Sequence, residues 1–233
     1  MEQTTVQVEA VIFDLDGTLA HFNLDYKAVR AEIRSYLIHA GVPASVLDVN
    51  ESMFGMLAKA EIFFKNEDKT KAKTAFDEVR AQALGIAEKY EMEAATTTSL
   101  QSGALETLKE LKKMKLKLGL CTTNSEKASR YILQRFKIED HFKVVITRDK
   151  VKYVKPHTEQ FEVALKALSA QAQSTVIVGD SVVDMQSAKE LEAIAVGIPT
   201  GIATMEQLKN HASNYIITSL SDLPVLIKEI NKA

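Results

Sequence analysis

Two aspartates one residue apart, Asp14 and Asp16, follow a short apolar run near the start of the chain. The run Ala10–Phe13 predicts a buried strand, and the strand would carry both carboxylates to its end. Such carboxylates repel each other and lose solvation, so they favour a bound cation or a catalytic site. Gly17 permits a sharp turn, and the Thr18 hydroxyl can fix it. The alternative, a strand ending in an Asx-rich turn, explains one aspartate and the glycine but not the pair.

Further polar residues follow other apolar runs. Thr123 and Asn124 come after one such run, and Asp180 comes after another. Asp184 would lie in the first turn of the next helix, where the helix dipole also favours a carboxylate for structural reasons alone. Lys155 precedes Pro156, which by itself predicts only a helix start, so this lysine could be solvated or functional.

The secondary-structure pattern places these residues at one edge of a sheet. Residues 25–95 show helical periodicity without a strand pattern. Helices are predicted at 25–40 and 44–65, and a third, longer helix ends at about residue 95. After residue 97, strands and helices alternate, which is typical of a parallel sheet covered on both faces. Ligands bind at the carboxyl ends of such strands. The predicted strands are 6–15, 116–121, 143–147, 175–178, 193–198 and 215–218.

The composition is that of an ordinary globular protein of 233 residues, with 46% hydrophobic and 26% charged residues. A formal net charge of -2 gives no reason to expect nucleic-acid binding. The single cysteine, Cys121, excludes an internal disulfide framework and a multi-cysteine zinc site. No signal peptide and no apolar run long enough to cross a bilayer is predicted, so we expect a cytoplasmic enzyme without a membrane partner. The sequence gives no prediction of the oligomeric state.

The kinds of side chain in this set indicate the cation. The set consists of four aspartates, a hydroxyl and a lysine, and its possible metal ligands are oxygen atoms without histidine or cysteine, which favours Mg²⁺. Mg²⁺ held by few carboxylates is a typical partner of phosphate. A threonine, backbone amides and a lysine can hold phosphoryl oxygens, so a small phosphorylated metabolite is the expected partner.

These motifs resemble those of the haloacid dehalogenase (HAD) superfamily, in particular its phosphoglycolate-phosphatase-like members. Asp-Leu-Asp-Gly-Thr at 14–18 matches the first motif, and Thr123 the second. Lys155 matches the third motif, and Gly-Asp-x-x-x-Asp at 179–184 matches the fourth. The third motif lacks the glycine that many relatives have before the lysine. Asp16 is retained, whereas dehalogenases of the superfamily replace it, which argues against carbon–halogen cleavage.

The resemblance implies an α/β fold, with a Rossmann-like parallel-sheet core that has helices on both faces and an inserted α-helical cap. The core would comprise residues 1–20 and 97–233, and the cap residues 21–96. It also implies a phosphoric monoester hydrolase that forms an aspartyl-phosphate. The implied catalytic residues are Asp14 as nucleophile, Asp16 as proton donor and acceptor, and Lys155 as positioning charge; the phosphoryl group would be bound by Thr123, Asn124 and Lys155, and Mg²⁺ by Asp14, the Asp16 carbonyl, Asp180 and Asp184.

The motifs leave several substrates open. Phosphoglycolate leads by family analogy, while sugar phosphates, nucleoside monophosphates and pyrophosphate stay open. A phosphomutase of the β-phosphoglucomutase type would share every motif. A non-catalytic binding or regulatory protein would be expected to lose Asp14, Asp16 or Asp180. His21, Lys59 and Lys65 are candidates to reach the site, whereas His157 is expected at the surface.

Overall fold

A computed structural model describes residues 7–21, 23–67, 72–211 and 213–232. The chain divides into two compact units. The α/β unit contains the described residues up to Asn23 and from Thr97 onward, and the helical unit is Leu24–Thr96. Within the described ranges, no helix is long and apolar enough to cross a membrane.

The α/β unit is built on a six-stranded sheet in which every pairing is parallel. The strand order is β3-β2-β1-β4-β5-β6, so the first strand lies in the middle, with Ala10 opposite Lys117 of β2 and Thr175 of β4. The predicted parallel α/β sheet is therefore confirmed. The strands are β1 Ala10–Phe13, β2 Lys117–Cys121, β3 Val144–Ile146, β4 Thr175–Gly179, β5 Ile194–Gly197 and β6 Tyr215–Ile216.

Both faces of the central strand are covered, because all four residues of β1 are fully buried. Ala10 and Ile12 belong to a core cluster with Phe161 and Met185, and the side chains between them point to the opposite face. The helices are α1 Tyr26–His39, α2 Met53–Glu67, α3 Ala72–Thr97, α4 Ala104–Lys113, α5 Glu126–Arg135, α6 Glu159–Leu168, α7 Val182–Glu190, α8 Met205–Asn210 and α9 Leu223–Ile230.

β1 is shorter than its prediction of 6–15; residue 6 itself lies outside the described residues. The Asp14 amide still donates to Val178 across the ladder. The Leu15 carbonyl then accepts from the amides of Thr18, Leu19 and Ala20, and this turn ends the strand.

The helical unit consists of α1, α2 and most of α3, which share a buried core including Ile33, Met56 and Ala83. The prediction of one helix over 44–65 is wrong. A short 3₁₀ turn, Ala44–Val46, is followed by non-helical chain until α2 begins. Asp48 accepts from the Asn50 amide at 2.7 Å, and Ser52 accepts from the Gly55 amide at 3.0 Å. Such side-chain bonds compete with helical ones.

The observed helix boundaries differ from the predicted ones at two further residues, Val49 and Pro156. Val49, which lies within the helix predicted over 44–65, is 63% exposed. Pro156 does not start a helix, because α6 begins only at Glu159, with Thr158 as its N-terminal flanking residue. Lys155 and Pro156 instead form part of the connection between β3 and α6, and the peptide bond between them is cis.

Candidate active site

Three neighbouring strands end in the polar residues singled out above. β1 leads into Asp14, β2 into Thr123 and Asn124, and β4 into Asp180. Asp184 lies in the first turn of α7, where Ser181 accepts from its amide and caps the helix. Carboxylate oxygens of Asp14, Asp180 and Asp184 lie within 4.8 Å of one another, and all three residues are buried. The parallel sheet therefore gathers three carboxylates at one edge.

The Lys155 ammonium group lies among these carboxylates. Nζ donates to Asp14 Oδ1 at 2.5 Å, to Asp184 Oδ1 at 2.7 Å and to the Cys121 carbonyl at 3.0 Å. Its side chain is 2% exposed. All three donors of the ammonium are thus used, and its position is fixed by two strands and one helix.

Burial and mutual repulsion perturb these groups strongly. Burial raises the pKa of Asp14 to about 6, with Lys155 opposing the shift and Asp184 adding to it. Burial, followed by the charges of Asp14 and Asp184, raises the pKa of Asp180 to about 8. Burial alone would lower the pKa of Lys155, but Asp14 and Asp184 raise it well above its ordinary value. One ammonium therefore does not balance three carboxylates, and the donor set fits a hard divalent cation such as Mg²⁺.

Asp180 is held in place by a loop that follows β5. The Ile202 amide donates to Asp180 Oδ2 at 2.7 Å, and the Thr18 hydroxyl donates to Oδ1 at 3.3 Å. A Cβ at either Gly17 or Gly201 would overlap the Asp180 carboxylate, and Gly17 has φ of +82°. Gly201 was not anticipated from the sequence; its only signal there was a Thr-Gly pair after an apolar run.

Asp16 lies apart from the three clustered carboxylates. It is half-buried, and its Oδ2 accepts from Asn124 Nδ2 at 2.5 Å. The neighbouring Thr123 is half-buried, and its carbonyl accepts from the buried Arg148 guanidinium at 3.2 Å. The two aspartates of the first motif therefore have different surroundings, one with an ammonium and one with an amide.

Comparison with known proteins identifies the family of this chain. The sequence profile of the haloacid dehalogenase-like hydrolases matches residues 11–198. The chain belongs to that family.

Two curated relatives extend over almost the whole of this hydrolase. Pyrophosphatase PpaX of Bacillus mycoides (strain KBAB4) is 27% identical over 228 residues, which is 97% of this chain and 100% of the relative. Glyceraldehyde 3-phosphate phosphatase of Methanocaldococcus jannaschii is 32% identical over 239 residues, covering 97% and 99%. These relatives and the family profile make the chain a phosphatase of the HAD superfamily.

Solved structures share the fold of this HAD hydrolase. The crystal structure of a hydrolase from Pseudomonas syringae matches with a TM-score of 0.64 and 23% identity, covering 95% of this chain and 99% of the other. At that identity the match demonstrates a common fold only.

Gln160 is a further residue of the candidate site that the sequence did not single out. It is fully buried, and its Oε1 accepts from the Lys155 amide at 3.2 Å. Its Nε2 donates to the Thr122 carbonyl at 2.8 Å. One side chain therefore ties the backbone of the lysine to the end of β2. A glutamine in the first turn of a helix carries no sequence signal for this role.

Replacing Gln160 with Met should reduce kcat about tenfold or more with a smaller change in KM, because Lys155, which positions Asp14, loses its backbone support while Thr123 and Asn124 stay. Steady-state phosphate release measures both constants. Leu168→Val, at the far end of the same helix, is the control for a general loss of core packing. An equal fall of kcat in both variants at matched melting temperatures would contradict the positioning role.

The other candidate residues form ion pairs or lie at the surface. Lys59 pairs with Glu51 at 2.9 Å, and Lys65 pairs with Glu61 at 2.6 Å. His21 is exposed, and its backbone bonds with Ser99 and Thr98 on the returning chain. The exposed ring of His157 lies 4.9 Å from that of Tyr153, as expected for a surface residue. Burial raises the pKa of the Cys121 thiol far above its ordinary value, so this cysteine is not a nucleophile at neutral pH.

Proposed function

We propose that this protein is a Mg²⁺-dependent phosphatase that hydrolyses a small phosphomonoester through an aspartyl-phosphate on Asp14. The observation that carries the proposal is the buried group of Asp14, Asp180 and Asp184 with the Lys155 ammonium among them. Three buried carboxylates repel one another unless a cation binds between them. Mg²⁺ is such a cation, and it also binds phosphate.

In this mechanism the Asp14 carboxylate attacks phosphorus, and the bond from phosphorus to the leaving oxygen breaks. Asp16, protonated at the start, gives its proton to the leaving oxygen. Asp16 then takes a proton from water as that water attacks phosphorus, and the bond between phosphorus and Asp14 breaks. Phosphate leaves, and both aspartates return to their starting state.

The other residues bind and orient. Lys155 holds the Asp14 carboxylate in line, and Thr123 with the Asn124 amide binds phosphoryl oxygens. The Asn124 side chain, which bonds to Asp16, orients the proton donor. Asp14, Asp180, Asp184 and the Asp16 carbonyl are the groups that would hold Mg²⁺. When bound, the ion offsets the negative charge of the phosphate and the carboxylates.

The substrate is proposed as a small phosphorylated metabolite from the cytoplasm. The relatives are named for pyrophosphate and for glyceraldehyde 3-phosphate, both small phosphate compounds. Phosphoglycolate stays a candidate beside them. The helical unit serves in this proposal as the cap that selects the leaving group.

A panel of phosphate compounds tests the proposal. It contains phosphoglycolate, glyceraldehyde 3-phosphate, pyrophosphate, sugar phosphates and nucleoside monophosphates, and released phosphate is measured. We expect release from at least one of the phosphomonoesters with Mg²⁺, loss of release in EDTA, and recovery when Mg²⁺ is added in excess. No release from any phosphomonoester, or release that EDTA leaves unchanged, would refute the proposal. Transfer to a sugar phosphate instead of water would identify a phosphomutase.

A further inference from the structure

A groove of about 440 Å³ lies on the helical unit, and none of the residues assigned to the candidate active site lines it. It runs between α1 and the non-helical segment before α2. Its lining includes three basic residues, a polar one and two apolar ones: Lys27, Arg30, Arg34, Asn50, Ile38 and Val49.

The basic residues share one face of α1, because their spacing of three and four residues returns to the same side of a helix. Arg30 donates to the Asn50 carbonyl at 2.8 Å, and its guanidinium lies 5.0 Å from the centre of the Tyr26 ring. Arg34 donates to the carbonyls of Leu47 and Ala44 at 2.9 and 3.1 Å. Both guanidinium groups are therefore held in fixed positions.

These anchors are neutral, so they fix the guanidinium groups without cancelling their charge. Within the described residues, no carboxylate lies within 4 Å of Lys27, Arg30 or Arg34. In the neighbouring segment, Glu51 pairs with Lys59, and Asp48 accepts from the Asn50 amide. Arg30 Nε is also buried without a hydrogen-bond partner in the described part of the chain.

An uncompensated group of this kind is a prepared receptor for an anion. Arginine matches the oxygens of phosphate in geometry, and prior fixation lowers the entropy lost on binding. The volume suits a small organic phosphate, and Ile38 with Val49 offers apolar surface for its carbon part.

We propose that the groove formed by Lys27, Arg30, Arg34 and Asn50 binds the phosphate group of a small metabolite, independently of the phosphatase site. Arg30 and Arg34 would contact the phosphate oxygens, and Lys27 would add charge at the open side. Because the site lies entirely on the helical unit, it does not depend on hydrolysis in the α/β unit.

The test measures pyrophosphate binding by the full chain in EDTA, with amide NMR shifts to locate it and calorimetry to measure its Kd. Ala31 is exposed and lines the groove without anchoring any segment. Ala31→Glu places a carboxylate among the cations, and Ala31→Gln has the same size without the charge. We expect shifts in residues of α1 and the 47–50 segment, with Kd raised about tenfold or more by Ala31→Glu and little by Ala31→Gln.

A second pair, Ser35→Glu and Ser35→Gln, guards against loss of fold in the first, since Ser35 also lines the groove. Binding should weaken as salt increases. Absence of shifts on α1, or equal affinity of the glutamate and glutamine variants, would overturn the proposal. The binding assay involves no turnover, so its outcome and that of the phosphatase panel are separate.

Discussion

Asp14→Asn should lower phosphate release at least about a thousandfold, because an amide cannot form the acyl-phosphate bond. The fold should survive, since the amide keeps the size of the carboxylate and its oxygen can still accept from Lys155. Phosphorylation of Asp14, measured by mass spectrometry after quenching, should disappear in the variant. Asp140→Asn, the same change at an exposed position, is the control and should leave release unchanged. Near-wild-type turnover in Asp14→Asn would exclude Asp14 as the nucleophile.

The same variant should alter the stability of the metal-free protein. The pKa values of Asp14 and Asp180, at about 6 and about 8, lie above those of an unfolded chain, so the folded state binds more protons. Stability in EDTA should therefore fall as the pH rises from about 4 to about 8. Asp14→Asn removes one repelling charge and should flatten this fall, as measured by melting temperature in EDTA. A wild-type melting temperature that rises over that pH range would contradict the reasoning.

Lys155→Met should both abolish activity and destabilise the fold. The substitution leaves Asp14 and Asp184 buried without their shared ammonium. Loss of one partner from a buried ionic group lowers the free energy of unfolding by about 3–5 kcal/mol. Protonation of the carboxylates would relieve part of this loss, so the effect should be largest at alkaline pH.

Chemical denaturation and melting curves measure the loss in Lys155→Met, with and without Mg²⁺. A divalent cation should raise the melting temperature of this variant more than that of the wild type, because it replaces the missing charge. Lys152→Met, at an exposed lysine three residues earlier, is the matched control and should change neither property appreciably. A Lys155→Met protein as stable as this control would show that the ammonium contributes little to the fold.

The parallel sheet was predictable, because few folds other than a sheet covered by helices fit continuous apolar runs that alternate with helical periodicity. Because the carboxyl ends of parallel strands lie at one edge of a sheet, the positions of Asp14, Thr123 and Asp180 after apolar runs were enough to predict that all three lie at that edge. Local hydrogen bonds were less predictable. The helix expected at 44–65 is broken where Asp48 and Ser52 bond to nearby backbone amides, which periodicity alone does not reveal.

The supporting residues of the site escaped prediction for a different reason. Gln160 accepts a hydrogen bond from the Lys155 amide, and Gly201 leaves room for the Asp180 carboxylate. Neither residue type at its position suggests chemistry. Only the folded chain brings the glutamine between two segments and sets the glycine where a carboxylate needs room.

The central place of β1 in the sheet has a consequence for how the protein is made. Ala10 emerges from the ribosome early, but its two neighbours across the ladder, Lys117 and Thr175, emerge much later. The internal contacts of the helical unit need only Leu24–Thr96, a segment that is synthesised before either of them. Distant pairings of this kind are slow to form. Asp14 therefore meets Asp180 only when most of the chain has been synthesised, and a nascent chain that stops before β4 has no assembled site.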